Sequence, residues 1–574
     1  MTDAQIVKLL RGSSLVPAKA LKDAKTVATK ENLPLERVLV QNGAVSEDAL
    51  YRELAKLLDL PFVDLSSQVI RKDILFLIPE PIASGHRIIP FDKTANELLV
   101  ATTEPEDIQT IEFVRRKTGL PVKIFITTPA GVTNAVKSYH RSLKAEFEDL
   151  TLSSKSKAET EKGLKELAED LPIVRIVDSL LEHAMYENAS DIHIEPSENE
   201  IAVRYRIDGI LRPVMTLPKA AQEGIIARIK ILANLKLDEH RMPQDGRFKI
   251  ENPDFKFSIR VSILPVYDGE KIVMRLLPET ARSLTLDELG FLNGPKALVE
   301  QAITRPHGII YATGPTGSGK TTTLYSLLGI LNKPGVNIVT VEDPIEYRMP
   351  GVNQSQMNQR IGYTFANGLR SILRQDPNVI MVGEIRDTET AEIAANAALT
   401  GHLVLSTLHT NDAPSAISRL DDLGVAPFLV AFTTNLIIAQ RLVRKVCKDC
   451  TNGYKITAEE LRELDRRAGG VAGLVKDLIK AKELPAGAKA ESLTLARGKG
   501  CTKCGGEGYR GRIGIYEVLQ MSPAIAAQVA KRSNTDEIRK TALAEGMLTM
   551  FHDGLIKATR GLTTLTEILR VTKD

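Results

Sequence analysis

Residues 314 to 323 read GPTGSGKTTT, a composition and spacing suited to holding phosphate. Gly314, Gly317 and Gly319 allow a backbone to curl until its N–H groups point at phosphate oxygens, with Pro315, Thr316 and Ser318 between them. Lys320 then reaches the β- and γ-phosphates, Thr321 ligates Mg²⁺, and Thr322 closes the nucleotide-binding run. Such a loop works only between a buried strand and a helix. Residues 308–312 (GIIYA) predict the strand and residues 322–331 the helix.

Acidic and imidazole groups follow other apolar runs. NIVTVEDPIEY places Glu342, Asp343 and Glu346 at the carboxyl edge expected of a parallel sheet, where ligands bind. A carboxylate there polarises an attacking water or holds the Mg²⁺ shell, and a merely solvated acidic loop fits the spacing as well. NVIMVGEIRD ends four apolar residues in Gly383 and Glu384, an acid long enough to reach the waters of Mg²⁺. GHLVLSTLHTND brackets a strand with His402 and His409, and His409 stands where it could sense a γ-phosphate.

All four cysteines lie in two C-x-x-C pairs, Cys447 with Cys450 and Cys501 with Cys504. Four thiolates fill a closed tetrahedral Zn²⁺ site. An iron–sulfur cluster and free thiols are the alternatives, and a redox pair would need a thioredoxin-like unit that is not evident. The long gap between the pairs, with TAEELRELDRRAGGVAGLVKDLIKAKEL, predicts a helical insert stapled at its base. Upstream, alternation in VRYRIDG, KFSIRVSI and KIVMRLL puts Arg204, Arg206, Arg260 and Arg275 on one cationic strand face.

The elements that position these groups divide the chain. Residues 1–60 read as helices; Ser46 caps one that carries Leu50, Leu54, Leu57 and Leu58 along one face. Residues 61–142 alternate strand and helix as a small α/β domain, and 143–170 form a charged linker. Residues 171–288 form a second α/β domain. Residues 289–574 form the nucleotide domain, with a four-cysteine subdomain at 441–515 and C-terminal helices.

Composition narrows the function. With 75 basic and 72 acidic residues the chain has no global nucleic-acid footprint, so no direct nucleic-acid contact is expected. MTDAQIVKLLRGSS lacks a signal-peptide core and no apolar run reaches membrane-spanning length. A cytoplasmic protein that meets a membrane through partners is expected.

GPTGSGKTTT, VEDPIEY, VGEIRD and GHLVLSTLHTND, in this order, resemble the Walker A, Asp box, Walker B and His box of the secretion ATPase superfamily. ASDIHIEP, VRYRIDG and MPQDGRF upstream, and AQRLVRKVC, GYRGRIGIYEVL and TTLTEILRVT downstream, extend the resemblance over residues 170 to 574. It implies an α/β multidomain chain: a RecA-like P-loop ATPase domain behind a PAS-like α/β domain and an N-terminal helical plus small α/β region. It implies ATP, Mg²⁺ and Zn²⁺, with Glu346 activating water, Glu384 as the Walker B acid, and Arg260 and Arg275 as fingers for the γ-phosphate. It further implies a homo-hexameric motor at the inner membrane, working on a platform protein and its alignment or secretion components. The layout is most similar to the type IV pilus extension ATPases; the type II secretion ATPases share every motif. A DNA translocase should show a basic channel, and a non-hydrolysing scaffold should lack Lys320, Glu346 or Glu384. Relatives that bind a cyclic dinucleotide use an Arg-Leu-Gly motif, where this chain has Pro34-Leu35-Glu36 before Leu39, Val40 and Gly43. The module fold is expected without that binding, and the N-terminal helices are expected to dock a partner.

Overall fold

Four sheets organise the chain among the described residues of the computed structural model. It describes residues 6, 7, 10, 15–31, 35–65, 68, 70–94, 96–136, 139, 165, 167–168, 170–251, 256–279, 283–467, 475, 479, 489, 493–501, 504 and 506–572. The chain divides into two compact units, Met1–Leu277 and Pro278–Asp574.

The first unit begins with helices Ala18–Glu31, Leu35–Gln41 and Glu47–Leu57. The Ser46 side chain accepts the Ala49 amide and caps the third. Its buried stripe is Leu50, Tyr51, Leu54 and Ala55. The expected Leu57 is instead 36% exposed, because the helix ends there and the chain turns away through Asp59 at φ 53°. Pro34 lies outside the described residues; Leu35 and Leu39 are fully buried. Strands β1 (Ile88–Lys93), β2 (Leu98–Thr102) and β3 (Val122–Ile126) then form a small sheet, β1 antiparallel and β3 parallel to β2. Helix Ile108–Thr118 makes the parallel crossover. Most of the predicted linker, 143–164 of 143–170, lies outside the described residues.

Six strands follow: β4 (Asp191–Pro196), β5 (Glu200–Ile207), β6 (Ile210–Pro218), β7 (Gln244–Glu251), β8 (Lys256–Val266) and β9 (Gly269–Pro278). Their order is β6-β5-β4-β9-β8-β7. One face packs on helices Leu171–Tyr186 and Gln222–Leu232, with Tyr205, Ile259, Val261 and Ile263 inward as their alternation predicts. The opposite face is less cationic than the arginines alone suggest. Cross-strand register sets Asp191 of β4 opposite both Arg206 and Arg275, and its carboxylate takes Arg275 Nε at 3.0 Å and Arg206 Nε at 3.3 Å. Glu195 takes Arg204 in a two-pronged bond at 2.8 and 2.9 Å. Acids on β4 thus neutralise arginines on its neighbours.

Within this unit His86, just before β1, reaches the helix that leads into β4. Its Nδ1 lies 2.9 Å from Asp107 and its Nε2 3.1 Å from Glu187, while Thr110 and Tyr186 hydroxyls meet at 2.8 Å. Burial works against charging His86, but the two carboxylates outweigh it and lift its pKa to about 9.

The second unit carries β10 (Gly308–Thr313), β11 (Ile338–Glu342), β12 (Asn353–Gln356), β13 (Val379–Val382), β14 (Leu403–Leu408) and β15 (Thr434–Val446). A two-strand sheet of β16 (Thr451–Lys455) and β17 (Thr494–Gly498) precedes β18 (Tyr509–Gln520). The main sheet runs β12-β11-β13-β14-β10-β15-β18, parallel through β15 and closed by antiparallel β18. Apolar cores fill both faces, as near-continuous apolar strands require. Of the predicted insert, helix Ala458–Arg467 is described and most of the remainder lies outside the described residues. Four helices, from Pro523–Ala530 to Leu565–Val571, end the unit.

The His86 contacts predict pH-dependent docking of the small α/β domain. A folded pKa raised above the unfolded value of about 6.5 stabilises fully below that value, and the gain is lost as pH rises through about 9. Hydrogen exchange at residues 86–110 should therefore quicken between pH 7 and 9.5, after correction for intrinsic rates, and should be pH-independent in His86→Gln.

Candidate active site

The GPTGSGK loop joins β10 to helix Lys320–Leu331, as the phosphate-holding chemistry requires. Gly314, Gly317 and Gly319 sit at φ 147°, 80° and 89°, in the region that favours glycine. At Gly314 space decides as well: a Cβ would lie 2.5 Å from the Gln440 carbonyl of β15. Lys320 is 9% exposed and folds back over the loop, donating to the Gly314 and Pro315 carbonyls at 2.8 and 3.2 Å. Burial pulls its pKa down and the Glu384 charge opposes this. Thr321 is half-buried and Thr322 exposed on the first helical turn; Pro315, Thr316 and Gly317 are exposed and Ser318 is buried.

The parallel sheet brings the other predicted groups to the same edge. β11 ends at Glu342, β13 at Val382 just before Gly383 and Glu384, and β14 at Leu408 just before His409. A Cβ on Gly383 would press to 3.3 Å on the Glu342 Cα, so glycine lets these two strand ends pass. Glu384 Oε2 meets Arg386 Nε at 2.7 Å and His409 Nε2 at 3.3 Å. Burial and the Lys320 charge push the His409 pKa down against the pull of Glu384, which favours neutral imidazole near pH 7. His402 instead holds the Ala397 carbonyl at 3.0 Å, away from this edge at the start of β14.

The three acids after β11 separate into different roles. Glu342 is 2% exposed and knotted to Thr340, Gln354 and the Tyr325 hydroxyl. Asp343 is exposed, and Glu346 is half-buried with its amide donating to the Tyr325 hydroxyl at 3.4 Å. Tyr325 belongs to the helix that Lys320 starts, so one phenol ties the phosphate loop to the acidic loop. Arg260 and Arg275 belong to the first unit, half-buried on β8 and 56% exposed on β9 respectively.

Sequence reasoning missed the groups behind the loop. Gln440, 1% exposed, accepts the Thr323 hydroxyl at 2.8 Å and donates to the Ser318 carbonyl at 2.8 Å. Its signal was a lone amide inside the apolar run LIIAQRLV. Seven residues on, β15 delivers Cys447. The four cysteine sulfurs lie within 4.8 Å of one another, with 3.8 Å from Cys447 to Cys501, 3.8 Å from Cys450 to Cys504 and 3.6 Å from Cys501 to Cys504. Four sulfurs about 2.3 Å from a tetrahedral zinc ion stand roughly 3.8 Å apart, so the cluster fits that ion. The Cys501 and Gly508 amides donate to Cys504 Sγ at 3.1 and 3.2 Å, contacts that favour thiolate.

Comparison with known proteins decides the family. The sequence profile described as "Type II/IV secretion system protein" matches residues 166–570, and that of the "MshEN domain" matches 58–146. This chain belongs to the type II/IV secretion system protein family. It is a P-loop secretion ATPase. It is 39% identical over 570 residues to the type IV pilus assembly ATPase PilB of Myxococcus xanthus, covering 98% of each chain. It is 38% identical to the Xanthomonas campestris type II secretion system protein E, again over 98% of each. The structure of the Yersinia pseudotuberculosis ATPase DotB shares the fold at a TM-score of 0.51 and 23% identity, over 70% of this chain and 93% of that one. The profile match at 58–146 begins downstream of Pro34-Leu35-Glu36 and Gly43.

Replacing Gln440 with Leu in this secretion ATPase takes the Gln440 donor from the buried Ser318 carbonyl and the Gln440 acceptor from the Thr323 hydroxyl, at a cost of about 1–3 kcal/mol. MgATP affinity, measured by titration calorimetry, should fall several-fold while zinc content holds.

Proposed function

We propose that this chain is a homo-hexameric motor that hydrolyses ATP at the cytoplasmic face of the inner membrane to assemble a type IV pilus. The observation that carries this reading is end-to-end similarity to pilus assembly ATPases, joined to a strand edge where Lys320, Glu384 and His409 converge. Gly314 to Thr322 hold the triphosphate, with Lys320 on the β- and γ-phosphates. Mg²⁺, held through Thr321 and the Glu384 carboxylate, would neutralise charge developing on the phosphates. Glu346 orients the attacking water, His409 senses the γ-phosphate through Glu384, and Arg260 and Arg275 stabilise the transferring group. Zn²⁺ bound by Cys447, Cys450, Cys501 and Cys504 staples the end of the β15–β18 ribbon.

Among the described residues no helix is long and apolar enough to cross a membrane, which supports peripheral attachment through a platform protein and its pilus alignment components. Without the Arg-Leu-Gly motif, the N-terminal helices bind a partner rather than a cyclic dinucleotide. The second reading, pseudopilus assembly for type II secretion, is favoured by the equally complete match to protein E. Deleting the gene separates them: loss of surface fibres supports pilus assembly, and periplasmic retention of exoproteins with fibres intact supports secretion.

Lys320→Ala should abolish ATP binding. Glu346→Gln should bind ATP and lose turnover by roughly a hundredfold, the loss expected of a water-orienting base. Wild-type turnover in Glu346→Gln would remove it from the mechanism.

Protein purified without chelator should carry about one zinc per chain by elemental analysis. Cys450→Ser should lose it and unfold the β16–β17 region first, while MgATP still binds. Zinc-free wild-type protein would refute the site.

A further inference from the structure

His409 opens a four-residue segment, His409-Thr410-Asn411-Asp412, between β14 and helix Ala413–Asp422. Each residue after the histidine is tied to a different element. The Thr410 amide donates to Thr313 Oγ1 at 2.8 Å and the two hydroxyls meet at 2.7 Å, on the last residue before Gly314. Asn411 Oδ1 accepts Arg441 Nη2 of β15 at 3.1 Å. Asp412 does two jobs: Oδ1 accepts the Ser415 amide at 2.8 Å and caps the helix, while Oδ2 accepts Arg539 Nη2 at 2.8 Å. The Ala413 amide donates at 2.9 Å to Glu517 of β18, itself 2% exposed. A carboxylate from the cap and a buried one from the sheet thus converge on one helix start, with Arg539 beside them as counter-charge.

Arg539 is the distant member. It sits on helix Thr535–Ala544, among the C-terminal helices, 127 residues beyond Asp412. The same two helices also touch through Ser418 and Thr535 hydroxyls at 2.7 Å, and Arg532 lies 3.6 Å from Asp421. Those contacts fasten the body and far end of helix Ala413–Asp422, whereas Arg539 fastens its N-cap Asp412, three positions from His409.

We infer that Arg539 is a positioning residue for ATP hydrolysis: by clamping Asp412 it holds His409 in place against Glu384 and couples the C-terminal helices to the nucleotide site. This rests on the reading that His409 and Glu384 act in turnover. The clamp touches neither the phosphate loop nor Lys320, so its loss lowers kcat and spares the binding of MgATP. It also gives a route by which a load or partner on the C-terminal helices alters hydrolysis, since displacing helix Thr535–Ala544 pulls on the residue that starts the helix behind His409.

The full-length chain carries the test, with steady-state ATPase assays on Arg539→Gln, Asp412→Asn and the double variant. Asparagine caps a helix about as well as aspartate, so Asp412→Asn removes the charge and keeps the cap. Each single variant should lose about tenfold in kcat with KM for MgATP within about twofold, and the double should be no worse than either single. Arg532→Ala, which removes the contact to Asp421 at the other end of helix Ala413–Asp422, should keep wild-type kcat. Wild-type kcat in either single variant, additive losses in the double, or an equal loss in Arg532→Ala overturns the clamp. His409→Ala separates the two readings. If it turns over at the wild-type rate, the role given to His409 fails; if it is impaired while Arg539→Gln is normal, the clamp alone fails.

Discussion

A loop that offers backbone N–H groups to phosphate has to have its carbonyls answered from behind, and the nucleotide unit is built around that demand. Gln440 takes the Ser318 carbonyl, and Lys320 takes those of Gly314 and Pro315. Each unanswered group would cost about 1–3 kcal/mol in a buried setting. Gln440 comes from β15, the strand that closes the parallel sheet beside β10, so the loop holds its shape only when the whole sheet is assembled. A phosphate arriving at the loop would compete for the same ammonium, and the Lys320 pKa, lowered by burial, would recover beside that charge.

The same β15 continues as a ribbon with β18 to the cysteine cluster. One strand therefore supports the phosphate loop at its middle, through Gln440, and presents Cys447 just beyond its end. β18 does likewise with Glu517 under the Ala413 helix and the Cys504–Gly508 turn before its start. A metal ion held by that cluster would fix the register of the two strands that buttress the site. Its value would be mechanical, since four sulfur ligands leave no open position for chemistry.

Charge is handled in two ways. On β4 of the first unit Asp191 and Glu195 meet arginines whose side chains are 35–56% exposed, so water shares the work on the cationic side of each pair. In the nucleotide unit two acids are buried with fixed partners: Glu342 by Tyr325, Thr340 and Gln354, Glu517 by the Ala413 amide. Burial pushes the Glu517 pKa up to about 7, so the hydrogen-bond pattern beneath the His409 segment is set by neighbours rather than by charge alone.

The sequence by itself determined the phosphate loop, the strand-end acids and the paired cysteines, because each is a local pattern: glycines, a lysine and a threonine at set spacing, an acid after four apolar residues, thiols two residues apart. Periodicity likewise placed the inward faces of β5 and β8, since side chains alternate strictly along a strand. The sequence could not sort Glu342, Asp343 and Glu346, which look alike in VEDPIEY and differ only in what packs against them. Nor could it show that Asp191 faces Arg206 and Arg275, which depends on cross-strand register, or that Gln440 and Arg539 serve the site from more than a hundred residues downstream. Those roles are fixed by contacts between segments remote in sequence, and only the folded sheet, which gathers its strand ends at one edge, brings them within hydrogen-bonding distance.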